Sequence, residues 1–159
     1  MTAGAGYSGT PLPKKLGITP ATRLAALDAP ADYALWLGEW PAGAALTTQV
    51  EPTSTLIHVF VTERAELAAT LTCLRTQVGD EVPIWVSWPK RAAKVATTVT
   101  EDVIREVALP LGYVDVKVCA VSAVWSGLKL VVRRALRRPA TAGVPPPPPS
   151  SRSRSRPTR

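Results

Sequence analysis

The strongest constraint on this chain is the order of its apolar segments. From Leu56 onward, short buried-looking strands alternate with amphipathic helical stretches, and the ordered part closes on two strands, YVDVKVCAV and GLKLVVRR. The run LIHVFV is apolar throughout and rich in β-branched residues, the signature of a central parallel strand covered on both faces. Residues 63–77 then read as a helix, with Thr62 as its cap and Leu67, Leu71, Leu74 and Val78 on one face. PIWVSW (83–88) is a second buried strand, and a polar loop covers 89–97. Thr98-Val99-Thr100-Glu101 fits a capping box with Thr98 as acceptor. The helix it opens turns Val103, Ile104, Val107 and Ala108 inward and stops at Pro110 and Gly112.

In the closing strands, Val114, Val116, Val118 and Ala120 alternate with Asp115, Lys117 and Cys119, and Leu128, Leu130 and Val132 alternate with Lys129 and Arg133. This predicts that the first set faces inward in each strand. The link Ser122–Gly127 is too short for a parallel crossover, so the two strands should be antiparallel. The ordering suits a nucleotide-binding type of α/β fold.

The first part of the chain is less decided. TPLPKKLGI reads as one helical turn stopped by Gly17. TPATRLAALDAP admits a helix capped by Thr19 or a short strand, Arg23 to Leu27. ADYALWLG is a short helix ending at Gly38. AALTTQV (44–50) is a modest strand, but only residues 51–55 part it from LIHVFV. A parallel return needs more, so it is either irregular or runs the opposite way at the sheet edge.

Composition limits the chemistry. At 159 residues and 46% apolar content the chain holds one domain with a real core. It has no run of 18 apolar residues and no apolar stretch after a basic start, which points to a cytoplasmic protein without a membrane span. The net charge of +7 belongs to the C-terminal end: residues 133–159 carry eight arginines and no acid, leaving 11 basic against 12 acidic residues in 1–132. Residues 1–10 read as a flexible lead, 11–138 as the domain, and 139–159, with five consecutive prolines and SSRSRSRPTR, as a disordered tail. Cys73 and Cys119 read as reduced, buried packing residues, and the lone His58 as a hydrogen-bonded core or edge residue. We assign no metal, no cofactor and no catalytic residue: Ser8 and Ser126 lack a nucleophile elbow and a nearby histidine.

The stretches AGYSGTPLPKKLGI, APADY, FVTERAEL, WVSWPK, TEDVIREVALPLGYVDVKVCAV and WSGLKLVVRR together resemble a bacterial family, domain of unknown function 3052 (DUF3052), from about Ala5 to Arg134. The resemblance implies a single three-layer Rossmann-like α/β domain, a mostly parallel sheet ending in an antiparallel strand pair, and it favours RLAAL as a strand. It implies no activity. A looser likeness is to the methyltransferase version of that fold. There the first strand runs into glycines that let the cofactor approach the backbone; this chain has Asp28-Ala29-Pro30-Ala31-Asp32 instead. An acid near the end of the second strand would hold a ribose, a place Glu51 could fill.

Ligands of open parallel sheets bind beyond the carboxyl ends of the strands. Asp28–Asp32, Thr62–Glu63, Trp88–Lys94 and the stretch from Tyr7 to Thr10 should gather there. The candidates are Lys90, Arg91 and Lys94 as cations for a phosphate or carboxylate, helped by backbone N–H groups near 63 and 98–101, with Trp125 as a stacking ring or a plug and Asp28, Asp32 and Thr62 on the rim. The reading is a noncatalytic module that binds a small anion or a protein partner. Two alternatives stand: an enzyme using a nucleotide-like cofactor, and nonspecific nucleic-acid binding by the arginine-rich tail.

Overall fold

The computed structural model describes residues 10–137. The expected tail and residues 1–9 of the expected lead, with Tyr7 and Ser8, lie outside them. The described chain forms one six-stranded sheet with helices on both faces. Helix α1 (Leu12–Leu16) stops at Gly17, whose φ of 84° suits a residue without Cβ. Strand β1 (Arg23–Leu27), helix α2 (Tyr33–Leu37), strands β2 (Ala45–Thr47) and β3 (Leu56–Phe60), helix α3 (Arg64–Gln77), strand β4 (Ile84–Pro89), helix α4 (Glu101–Ala108) and strands β5 (Tyr113–Ala120) and β6 (Trp125–Val132) follow.

The strand order is β2-β1-β3-β4-β6-β5. The first four are parallel, while β6 lies antiparallel between β4 and β5. The Rossmann-like α/β expectation and the antiparallel closing pair are therefore found. RLAAL is a strand because it has a parallel neighbour on each side, and its buried Leu24, Ala25 and Ala26 serve both sheet faces. That tertiary pairing overrides the helix preference of Ala and Leu.

Segment 44–50 resolves differently from either expectation. Only Ala45–Thr47 is strand, and it runs parallel to β1 at the sheet edge. The short return is possible because β2 does not pair with β3. Leu24 lies opposite both Leu46 and Leu56, so the chain passes under β1 and regains only a few residues of height.

Period-two alternation divides the core. Ile57, Val59, Ile84, Val86, Leu128 and Leu130 face α3 and α4. Leu56, His58, Phe60, Trp85 and Ser87 occupy the alternate positions, toward α1 and α2. As expected, Leu67, Leu71 and Leu74 of α3 and Ile104 and Ala108 of α4 are buried, with Val78, Val103 and Val107 partly so.

Four local expectations are corrected. Helix α4 is capped by Thr100, whose Oγ1 accepts from Val103 N at 3.1 Å, and not by Thr98. Thr98 Oγ1 instead accepts from Arg64 N at 2.6 Å and so caps α3 from across the sheet end, a task assigned above to Thr62. Both threonines suit a cap, and local spacing alone cannot tell which helix each serves.

Strand β5 breaks the expected inward alternation, since Val116 and Val118 are 54% and 55% exposed. The register steps from Asp115 opposite Leu130 to Lys117 opposite Lys129, leaving Val116 as an extra residue in a bulge. On this edge strand little covers the two valines. Finally, Cys73 is exposed on α3 and Cys119 only half-buried, so neither is the fully buried packing residue expected. Among the described residues no helix is long and apolar enough to cross a membrane.

Candidate functional site

The carboxyl ends of β1, β3 and β4 bring Asp28–Asp32, Thr62–Glu63 and Trp88–Lys94 to one edge of the sheet. Two separate clefts are found there among the described residues. The first, of about 420 Å³, lies at the ends of β1 and β2, between the 28–34 segment and Leu46–Thr48. The second, of about 600 Å³, lies beyond β4 and before α4, with Trp88, Arg91, Val95, Thr97 and Glu101 on its wall.

Asp28 shapes the first cleft. Its φ of 59° is the left-handed conformation, which glycine takes freely and Asp tolerates better than most residues. The chain therefore makes the tight departure from β1 without a glycine. Ala26, Ala29, Ala31 and Ala34 line the space it leaves, so no side chain longer than a methyl group enters from those positions. Tyr33 is part of the same wall, and Leu46, 39% exposed, forms an apolar rim.

Asp32 stands at the cap position of α2. Its carboxylate makes no capping hydrogen bond, while its carbonyl accepts from Trp36 N at 3.1 Å. Glu51 is not at the ribose position. It sits in a turn where Glu51 N donates to Ser54 Oγ at 2.9 Å, just before β3 and so at the opposite edge of the sheet. The residues at the end of β2 are Thr47, whose Oγ1 donates to Gln49 O at 2.8 Å, and Thr48.

The cationic candidates do not converge. Arg91 is on the wall of the second cleft, and Lys90 and Lys94 are not. Lys90 N donates to Val124 O at 2.7 Å, which fastens the loop to the β5–β6 link. Lys94 ends a 3-10 turn, Arg91–Ala93, in a left-handed conformation with φ of 58°. Each helix start already has one of its N–H groups held by a threonine. Arg64 N is taken by Thr98, Val103 N by Thr100, and Thr62 N donates to Glu66 Oε1 at 3.3 Å. Thr62 O accepts from Thr98 N and Thr97 Oγ1, so Thr62 joins two loops. The second cleft carries its own charges: Arg105 bonds Glu101, Asp102 and Asp115. Trp125 lies opposite Pro89 and packs edge-on against Phe60, with ring centres 5.1 Å apart.

Behind the first cleft is a polar chain that the sequence reading did not assemble. Tyr33 Oη lies 2.7 Å from His58 Nδ1, and His58 Nε2 lies 2.7 Å from Ser87 Oγ. All three side chains are buried. Burial alone pushes the His58 pKa down to about 3, so the ring is neutral, and raises that of the Tyr33 hydroxyl, so it keeps its proton. His58 is thus the hydrogen-bonded core residue expected. The signal for its partner was the shared parity of LIHVFV and WVSW, which places His58 and Ser87 on one face of adjacent strands. Among the described residues no group of three or more His, Cys, Asp or Glu side chains gathers to hold a metal ion.

No family model and no curated protein matches this chain. Among solved structures it is similar to the B. subtilis M1A22 tRNA methyltransferase TrmK, with a TM-score of 0.53 at 10% identity, over 82% of this chain and 67% of that one. Weaker likenesses are to a protein in the NADB-Rossmann superfamily from Streptococcus agalactiae (TM-score 0.48, 10% identity, 77% of this chain and 68% of that one) and to TrmN from Thermus thermophilus (0.47, 10%, 76% and 46%). This chain therefore spans less than half the length of TrmN. At such identity the likeness to TrmK speaks to architecture alone: the fold is Rossmann-like, a mostly parallel sheet that includes an antiparallel strand pair.

Proposed function

We propose that this chain is a methyltransferase-like enzyme that takes a nucleoside-bearing cofactor of the S-adenosyl class in the cleft at the ends of β1 and β2. The observation that carries the reading is Asp28. Its left-handed backbone performs the turn reserved for glycine in such folds, and the alanines around it leave room for a ligand to approach the chain. The missing glycines are therefore no bar to a ligand at β1. Thr47 and Thr48 offer hydroxyls where a ribose would lie, in place of an acid. The domain in this reading is 11–138, and membership of the DUF3052 family, resting on the motifs quoted above, belongs to the same proposal.

A noncatalytic anion-binding module centred on Lys90, Arg91 and Lys94 is less well supported, since only Arg91 of the three lines the second cleft and each helix start carries a threonine cap. Calorimetric titration decides between them. S-adenosylhomocysteine and S-adenosylmethionine are expected to bind wild type and to be lost in Ala31→Trp, which fills the cleft. Binding of inorganic phosphate that is lost in Lys90→Ala and Arg91→Ala, with no binding of either S-adenosyl compound, would overturn the proposal.

A further inference from the structure

Helix α2 should not hold its place unaided. It has five residues, no side-chain cap at its start and Gly38 at its end, and an isolated helix of that length is unstable in water. Yet it carries Tyr33 and Ala34, two residues of the cleft wall. Apolar packing of Tyr33 and Leu37 supplies part of the attachment. The directional part is the chain Tyr33–His58–Ser87, which runs from α2 through β3 to β4.

We infer that His58 and Ser87 are positioning residues for the cleft: through one ordered hydrogen-bond chain they fix Tyr33, and with it the 28–38 segment that any cleft ligand must touch. The chain has a direction. Of its two hydroxyls the phenol is the more acidic, so Tyr33 donates to Nδ1. The neutral ring then carries its proton on Nε2 and donates it to Ser87 Oγ. Phe60 holds the imidazole plane, stacked on His58 at 4.3 Å between ring centres and edge-on to Tyr33 at 5.4 Å. On the far side lies Gly127, where a Cβ would crowd Val121 Cγ2 at 3.0 Å and the Trp85 ring at 3.3 Å. Each link has one acceptor, so losing one link frees the next.

That His58 sets the cleft rests on the ligand reading above; that it orders 28–38 does not. The test uses the full chain. Nitrogen-15 NMR of the histidine ring (His58 is the only one) should report the Nε2–H tautomer, with Nδ1 shifted in Tyr33→Phe. Hydrogen exchange in Tyr33→Phe and Ser87→Ala should quicken about tenfold or more within 28–38 and little within α3. Ile104→Val, a destabilising change on the opposite face, should not reproduce that pattern. S-adenosylhomocysteine should bind both α2-side variants about tenfold more weakly than wild type, and Ile104→Val normally. An Nδ1–H tautomer, or equal exchange in 28–38 for all three variants, would overturn the inference. If wild type binds no S-adenosyl compound, the cofactor reading falls, while the exchange and tautomer results still decide whether the chain orders 28–38.

Discussion

The two faces of the sheet are built on different principles. Toward α3 and α4 the packing is largely aliphatic, with Ile57, Val59, Ile84 and Val86 meeting Leu67, Leu71, Leu74 and Ile104 under helices of 14 and 8 residues. Toward α1 and α2 the aliphatic residues are joined by the buried aromatic and polar side chains Tyr33, Phe60, Trp85, His58 and Ser87, and each covering helix has five residues. The short helices are tied by named hydrogen bonds: Trp85 Nε1 donates to Leu16 O at 3.2 Å, Lys15 Nζ to Ala120 O at 3.0 Å, and Tyr33 meets His58. The first face stabilises by area removed from water, which has no direction. The second stabilises by contacts that work at one geometry, and that is the face beside the small cleft. Stability and placement have been given to opposite sides of one sheet.

Substitutions can break this contrast, starting with the largest effect. Leu71→Ala, at a fully buried site of the aliphatic face, should cost about 2–5 kcal/mol in denaturant unfolding and leave exchange within 28–38 in its normal rank. His58→Phe keeps the volume but strands two buried hydroxyls, and should cost about 1–3 kcal/mol. The same variant should alter acid sensitivity. In wild type His58 titrates near 3 when folded against an ordinary 6.5. Between those values the unfolded chain binds a proton that the folded chain refuses. Wild-type stability from this group is thus complete above pH 6.5 and falls on acidification, by up to about 1.4 kcal/mol per pH unit. Unfolding curves from pH 7 to 4 should show that loss in wild type and a shallower one in His58→Phe.

Smaller changes sharpen the contrast. Thr100→Ala removes the cap of α4 and should cost about 1 kcal/mol, read as a fall in Tm. Asp28→Gly should raise stability by about 1 kcal/mol, because the left-handed backbone no longer carries a Cβ, whereas Asp28→Val should lower it. Least of all, Arg64→Ala breaks the exposed pair with Glu106 and should change unfolding by less than about 0.5 kcal/mol.

Sequence periodicity revealed the parts of this fold that depend on local pattern. The buried runs at 56–60 and 84–88, the leucine face of α3 and the antiparallel closing pair could all be read because burial imposes a period on the residues themselves. Three things could not. The bulge at Val116 depends on register with β6, and nothing in YVDVKVCAV marks it. The role of Thr98 depends on a backbone 34 residues away. The cleft was hidden for another reason: an acid and four alanines do what glycines do elsewhere, so a reading based on residue type saw only a missing turn. His58 was correctly placed in the core, but its partners became visible only once the strands stood side by side.

The place of β6 has a consequence for synthesis. Of the six strands it is made last, yet it is an interior one, flanked by β4 and β5. Until Trp125–Val132 has left the ribosome, β4 has one open edge and β5 has no neighbour at all. The edge of β4 therefore stays uncovered until β6 pairs with it, and β5 reaches the sheet only through β6. Truncation within β6 should accordingly cost two strands at once, its own and β5, and bare the edge of β4.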